Sequence, residues 1–344
     1  MNNKRLTIII ENGFNSMPLI YLLLIVITIF SCKSSHKLDI EKYESILLLE
    51  KFKDANLVIR KKATLESINN LKSRQILNIY ISSSITNDTF VGRLAYECLK
   101  SRGMKDEYFQ YFDTKNNVNF SKFIVSLNSV NKLEPDFKID TDLKQLVYEI
   151  HDRDQRHRFN EDHDSIVAGD KKNKILLLEI FEKYGLPDES IIGVEFNKYG
   201  IVSNPLYVVI LHLAQQGDQE ILKKILELKL HNQVDEYFFS RMYSYGNTFN
   251  VPGYSGFIYC GNSDPLMEFE GIIKSFKCDS LSMADVDKIR SQFQMDKLDL
   301  MLKKLVFRHK YGFLFYEPYT YLSKIITDDH KTLEYYRENL IPIH

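Results

Sequence analysis

Leu143-Lys144-Gln145-Leu146-Val147-Tyr148-Glu149-Ile150-His151-Asp152-Arg153-Asp154-Gln155-Arg156-His157-Arg158 is the stretch that decides the fold. Its apolar residues Leu143, Leu146, Val147 and Ile150 recur at i, i+3, i+4 and i+7, the period of one face of an α-helix. Continuing that face by four residues from Ile150 reaches Asp154, and by seven reaches His157. Polar groups therefore occupy positions that point toward a core. Asp154 and Arg158 are also i and i+4, the spacing of a helical ion pair. A buried carboxylate needs partners, because a lone buried charge is costly.

The same period recurs on both sides. Toward the N-terminus, stripes begin at Ile46, Leu47, Leu49 and Phe52, at Ile76, Leu77, Tyr80 and Ile81, and at Phe90, Leu94 and Leu99, the last stopping near Gly103. Toward the C-terminus, Ile175 to Tyr184 reads as a helix stopped by Gly185 and Pro187. Asn204-Pro205 opens another, apolar from Leu206 to Ala214 on every side except His212, which predicts a helix buried all round. Gly217 ends it, and Asp218 caps a helix carrying Ile221, Leu222, Ile225 and Leu228. Ser282 to Asp285 reads as a cap for a helix to about Arg290, and a last helix lies near Lys331 to Asn339. Tyr243 to Gly261, rich in Tyr and Gly, reads as an irregular loop or small hairpin. With only 14 Gly and 8 Pro in 344 residues, the expected fold class is mainly α, because long regular elements dominate such a chain.

The expected layout is a leader over 1–31, a tether over 32–37, a helical region over 38–130, a linker over 131–142 and a helical domain over 143–344. The leader rests on Lys4 and Arg5, the apolar run from Pro18 to Phe30, and the stop at Ser31-Cys32. That run is shorter than the roughly 20 residues a spanning helix needs and has the length of a secretory core. Ile29-Phe30-Ser31-Cys32 resembles the bacterial lipobox, with Phe30 in place of the usual smaller residue. It implies lipidation at Cys32, membrane attachment through that residue, and a place in the cell envelope on the inner or outer membrane, facing the periplasm. An uncleaved signal anchor is the alternative. Of the other cysteines, Cys98 reads as core, while Cys260 and Cys278 share one region and could pair.

Charge excludes one class of function. With 45 basic and 46 acidic residues and a net charge of -1, the chain has no overall field for nucleic acid. No nucleophile elbow, Gly-rich phosphate loop or paired-cysteine motif is present, so no cofactor is expected. His151, His157, His163 and Asp164 offer ligand types in one stretch, but their spacing matches no zinc motif and no metal site is expected. His212 is the one ionisable group in its buried run. If it meets Asp154, the pair could orient a base or hold a ligand.

Several landmarks, in order, resemble an uncharacterised bacterial family, domain-of-unknown-function family 6624. They are Asp154-Gln155-x-x-Arg158, Tyr184-Gly185-Leu186-Pro187 with Gly193, the apolar helix ending in His212, Arg241, Tyr259-Cys260-Gly261-Asn262, and Val286-Asp287-x-x-Arg290 with Leu298 and Leu302. They span about residues 143–305. The chain departs from the pattern at Ser240, where the family usually has Asp, and in the turn at Phe257 to Gly261. The resemblance implies a mainly helical domain and supplies no activity. The candidate polar site is therefore Asp154, Gln155, Arg158, His212, Arg241 and Tyr259. The leading expectation is a non-catalytic, membrane-tethered binding or scaffold protein with an envelope protein as partner. The rival is an envelope enzyme of hydrolase type using Asp154, His212 and Arg158.

Overall fold

The computed structural model describes residues 38–118, 139–159, 163–197, 200–202, 204–236, 238–239, 242, 267–269, 272–276, 283–316, 323–324 and 330–342. The leader, Cys32, most of the expected linker, the Tyr/Gly-rich stretch, Cys260 and Cys278 lie outside these residues. The fold is mainly α. No helix among the described residues is long and apolar enough to cross a membrane.

Among the described residues six helices form the first region: α1 (Ile40–Leu47), α2 (Phe52–Arg60), α3 (Leu65–Asn69), α4 (Ser73–Thr86), α5 (Thr89–Ser101) and α6 (Asp106–Lys115). Capping explains their boundaries. Asp39, Thr64 and Asp88 each accept a hydrogen bond from a first-turn backbone N–H, satisfying donors that a helix start leaves open. α4 is the central element: Ile76, Leu77, Ile79, Tyr80 and Ile81 are fully buried, and so are Asn78 and Ser82. Asn78 and Ser82 are paired, as burial demands. Ser82 donates to Asn56 at 2.6 Å, and Tyr43 and Ser82 share a hydrogen bond of 2.8 Å. Cys98 is a free, buried cysteine, and burial pushes its thiol up to about 12.

The second region contains α7 (Thr141–Phe159), α8 (His163–Tyr184), α9 (Glu189–Ile192), a two-residue ladder of β1 (Phe196–Asn197) and β2 (Gly200–Ile201), α10 (Leu206–Gln215) and α11 (Gln219–Leu230). Asp140 caps α7 by accepting from the Leu143 N–H at 2.9 Å. Leu143, Val147 and Ile150 are buried as the period requires. α8 ends at Gly185, whose φ of +70° is left-handed. A Cβ there would collide with the side chain of Gln233, so glycine is needed for both conformation and space. α10 is buried on nearly every side, from Leu206 to Ala214.

The chain then returns. β3 (Met267–Phe269) and β4 (Ile272–Phe276) form an antiparallel hairpin. α12 (Met283–Gln292) and α13 (Leu298–Tyr311) follow, then β5 (Ser323–Lys324), α14 (His330–Asn339) and β6 (Leu340–Pro342). The four strands assemble in the order β5-β3-β4-β6. That small sheet was not anticipated, because its strands are two to five residues long and two of them, β5 and β6, come from far along the chain.

Two apolar cores result, and the C-terminal stretch serves both. Phe293 and Met295 join the core built on α7, α8, α10 and α11. Val286, Leu298, Met301, Leu305 and Phe313 to Tyr316 join the core built on α1 to α6. The side chain of Asn78 grips Leu314 from both sides, donating to its carbonyl at 3.0 Å and accepting from its N–H at 2.6 Å.

Candidate functional site

α7 carries its polar continuation inward. Asp154 is 2% exposed and accepts three side-chain hydrogen bonds. Gln155 Nε2 lies 2.7 Å from Oδ2, Arg158 Nε lies 3.2 Å from Oδ1, and His212 Nδ1 lies 2.8 Å from Oδ2. The first two donors stand on the same helix, and the third comes across from α10. Burial pushes the Asp154 carboxyl up, but the His212 hydrogen bond and the charges of His212 and Arg158 outweigh it and hold it below the usual carboxylate range. Hydrogen bonding to the charged form has this effect.

An ionised carboxylate only accepts, so the proton between Asp154 and His212 belongs to Nδ1 of the imidazole. In neutral His212 that leaves a lone pair on Nε2. This nitrogen has no hydrogen-bond partner among the described residues, and the His212 side chain is 20% exposed. The result is an oriented base whose working atom faces away from the carboxylate.

Arg158 is shared. Its Nη2 reaches both oxygens of Asp170 on α8, at 2.9 and 3.0 Å, and Gln216, just past α10, donates to the same carboxylate. Three helices are thus joined by one polar network: Asp154 from α7, Asp170 from α8 and His212 from α10. A separate bond, from Arg153 to Asn173 at 2.8 Å, also joins α7 to α8. The guanidinium between two carboxylates is neutralised by them, which limits what it can offer a bound anion.

Of the residues expected from sequence, the structure brings together Asp154, Gln155, Arg158 and His212. Arg241 and Tyr259 lie outside the described residues. Among the described residues no group of three or more potential ligands could hold a metal ion. Asp170 and Gln216 were missed. The available signal was that Asp170 is a lone acid on an otherwise core-facing stripe of α8, with Asn173 one turn on and both buried.

A second polar assembly lies where the two cores meet, and sequence reasoning missed it entirely. Arg290 is fully buried. Its Nε donates to the Asp296 carbonyl at 2.6 Å, and Nη2 donates to Glu236 Oε1. Glu236 Oε2 accepts from the Asp296 N–H at 2.9 Å. The Asp296 carboxylate in turn holds Lys304 at 2.6 Å and the Tyr316 hydroxyl at 2.5 Å. Burial and the neighbouring Asp296 push the Glu236 carboxyl up to about 7, although Arg290 opposes the rise. Asp287 caps α13 through the Leu298 N–H at 2.8 Å. Asp287 and Arg290, two residues that carried the family resemblance, thus have visible work in holding the turn between α12 and α13.

Comparison of the chain with models of known protein families, with curated proteins and with solved structures found no match in any of the three.

Proposed function

We propose that the chain is a lipid-anchored protein of the cell envelope whose helical domain carries an acid–base site of hydrolytic type. His212 is the base, and Asp154 fixes its tautomer and orientation. One observation carries this reading: the His212–Asp154 hydrogen bond of 2.8 Å, made through Nδ1, with Nε2 unpartnered among the described residues and a fifth of the side chain exposed. A purely structural pair needs no open ring nitrogen, whereas a base must reach the proton it takes. The lipid anchor rests on the lipobox-like Ile29-Phe30-Ser31-Cys32. The resemblance to domain-of-unknown-function family 6624 is part of the same proposal and adds no activity.

A second reading, a binding or scaffold protein without chemistry, is favoured by a different observation. Arg158 is engaged by two carboxylates, and the network joins three helices as a brace would. The two readings separate in one experiment. The chain from Lys33 onward and its His212→Ala form are offered chromogenic esters, phosphoesters and glycosides. In parallel, diethyl pyrocarbonate modification of each histidine is followed by mass spectrometry. Turnover that His212→Ala abolishes supports the base. Equal turnover in both proteins, or no turnover with His212 resistant to the reagent, removes it and leaves the brace.

A further inference from the structure

The seam between the two cores contains a cavity of about 340 Å³, at the small end of the volumes that hold organic ligands. Its walls come from both sides. Glu44 of α1 and Arg74 of α4 represent the first core, Tyr207 of α10 and Lys229 of α11 the second, and Asp296 and Tyr316 the returning C-terminal stretch. Most of its charges are already matched. Arg74 pairs with Asp235 at 2.9 Å, Lys304 with Asp296, and Arg290 with Glu236.

Four charged groups on the wall have no ion pair among the described residues: Lys72 and Asp188, which are exposed to water, and Lys229 and Glu44, which are not. Lys229 is only 4% exposed, yet among the described residues no acid lies within ion-pair distance of its ammonium group. Glu44 is partly buried, and its carboxylate has neither a hydrogen bond nor an ion pair among the described residues. Leaving both in this condition is costly: a desolvated charge without a partner is one of the more destabilising arrangements a protein keeps. Their surroundings register the cost. Burial lowers the affinity of Lys229 for its proton, despite the acids Glu236 and Asp235 nearby, and burial raises that of Glu44 for its own, despite the cations Lys304 and Arg74.

A cation and an anion, both desolvated and neither ion-paired, in the lining of one small cavity define the complement of both. We infer that the cavity binds a small zwitterion, a molecule of amino-acid to dipeptide size. Its carboxylate meets Lys229, its ammonium group meets Glu44, and its body lies against Tyr207 and Tyr316. A polyanion does not fit, because acidic side chains outnumber basic ones along the wall. A divalent cation does not fit either, because among the described residues no three potential ligands cluster there to hold one. This site is separate from the His212 pair: none of its lining residues belongs to that network. Its fate is independent of the acid–base reading.

The test uses the chain from Lys33 onward and isothermal titration with free alanine, alanyl-alanine, and the N-acetylated and C-amidated forms of that dipeptide. Alanine or the dipeptide should bind saturably in the micromolar to millimolar range. Each capped form should bind at least about tenfold more weakly, the size of one lost charge-assisted contact. Lys229→Met and Glu44→Gln should each remove the binding. Lys229→Met should melt at or above the wild-type temperature, because it deletes a charge that has no partner without ligand. Glu44→Gln, at a partly exposed position free of hydrogen bonds, guards against a folding defect in the other variant. No saturable binding by either zwitterion overturns the proposal. So does equal binding of the capped forms, or binding that both variants retain.

Discussion

Asp154→Ala tests whether the carboxylate under His212 holds the second core together. The substitution removes three hydrogen bonds, from Gln155, Arg158 and His212. Breaking one partner of a fully buried ion pair costs about 3–5 kcal/mol. Two features of the structure reduce that figure here. The Arg158 and His212 side chains are 25% and 20% exposed, so water can reach the groups left behind. Arg158 also keeps Asp170. The expected loss is therefore about 2–3 kcal/mol. At roughly 2–4 °C per kcal/mol for a domain of this size, the melting temperature should fall by about 5–10 °C. His212→Ala should cost about 1 kcal/mol, and the double variant should cost less than the sum, with a coupling of about 1 kcal/mol. The pH dependence has a definite sign. Asp154 titrates lower in the folded chain than unfolded. Its contribution is present above the unfolded value, near pH 4, and is lost as pH falls through the folded one. The gap between wild type and Asp154→Ala should thus be constant near neutrality and close on acidification. Urea denaturation of the four proteins measures all of this. If both single variants stay within about 0.5 kcal/mol of wild type, the network is not a stabilising one and the argument fails.

Other expectations follow from single features. Glu236 and Asp113 are pushed up to about 7 and about 6, both chiefly by burial. Between their unfolded and folded values the native chain holds protons that the unfolded chain has released. Stability should therefore decline from about pH 4 to about pH 7, and Glu236→Gln should flatten that slope in denaturation midpoints. Gly185→Ala forces a side chain into a left-handed position and against Gln233, and should cost about 1–3 kcal/mol by thermal melting. Asn78→Ala strands the buried N–H and carbonyl of Leu314; a loss of about 2–4 kcal/mol is expected, with amide exchange at Leu314 accelerated. Cys32→Ala should abolish labelling by a fatty-acid analogue in bacterial cells, and equal labelling of both forms would exclude the anchor.

The parts of this molecule that could be read from sequence are those governed by neighbours along the chain. The stripe of Leu143, Val147 and Ile150, its extension to Asp154, and the Asp154–Arg158 pair are all set by helical geometry within a few turns. So are the stop at Gly185 and the cap at Asp218. Whether Asp154 meets His212 depends on the packing of α7 on α10, which no local pattern encodes. Asp170 needed α8 as well. Harder still was the path of the C-terminal stretch. Phe293 and Leu298 look alike in sequence, yet one enters the second core and the other the first. No local period distinguishes them, because the turn at Arg290 to Asp296 redirects the chain. The strands of the small sheet were invisible for the same reason.

The two polar assemblies differ in a way that bears on what each is for. Around Asp154 every carboxylate oxygen has a donor, and the opening is a single ring nitrogen. Burying such a group is tolerable because its partners replace water. The seam is different. Arg290, Glu236 and Asp296 satisfy one another, but Lys229 and Glu44 face the same cavity without partners. A hydrophobic side chain at position 229 would fill the α11 face without the cost of desolvating a charge, and Leu222 and Ile225 on that helix show that apolar residues fit there. Stability alone does not keep a desolvated ammonium group in such a place; a ligand that matches its charge does. The seam is also where α1, α11 and the C-terminal stretch converge, so a molecule bound there would add contacts to both cores at once and raise the cost of separating them.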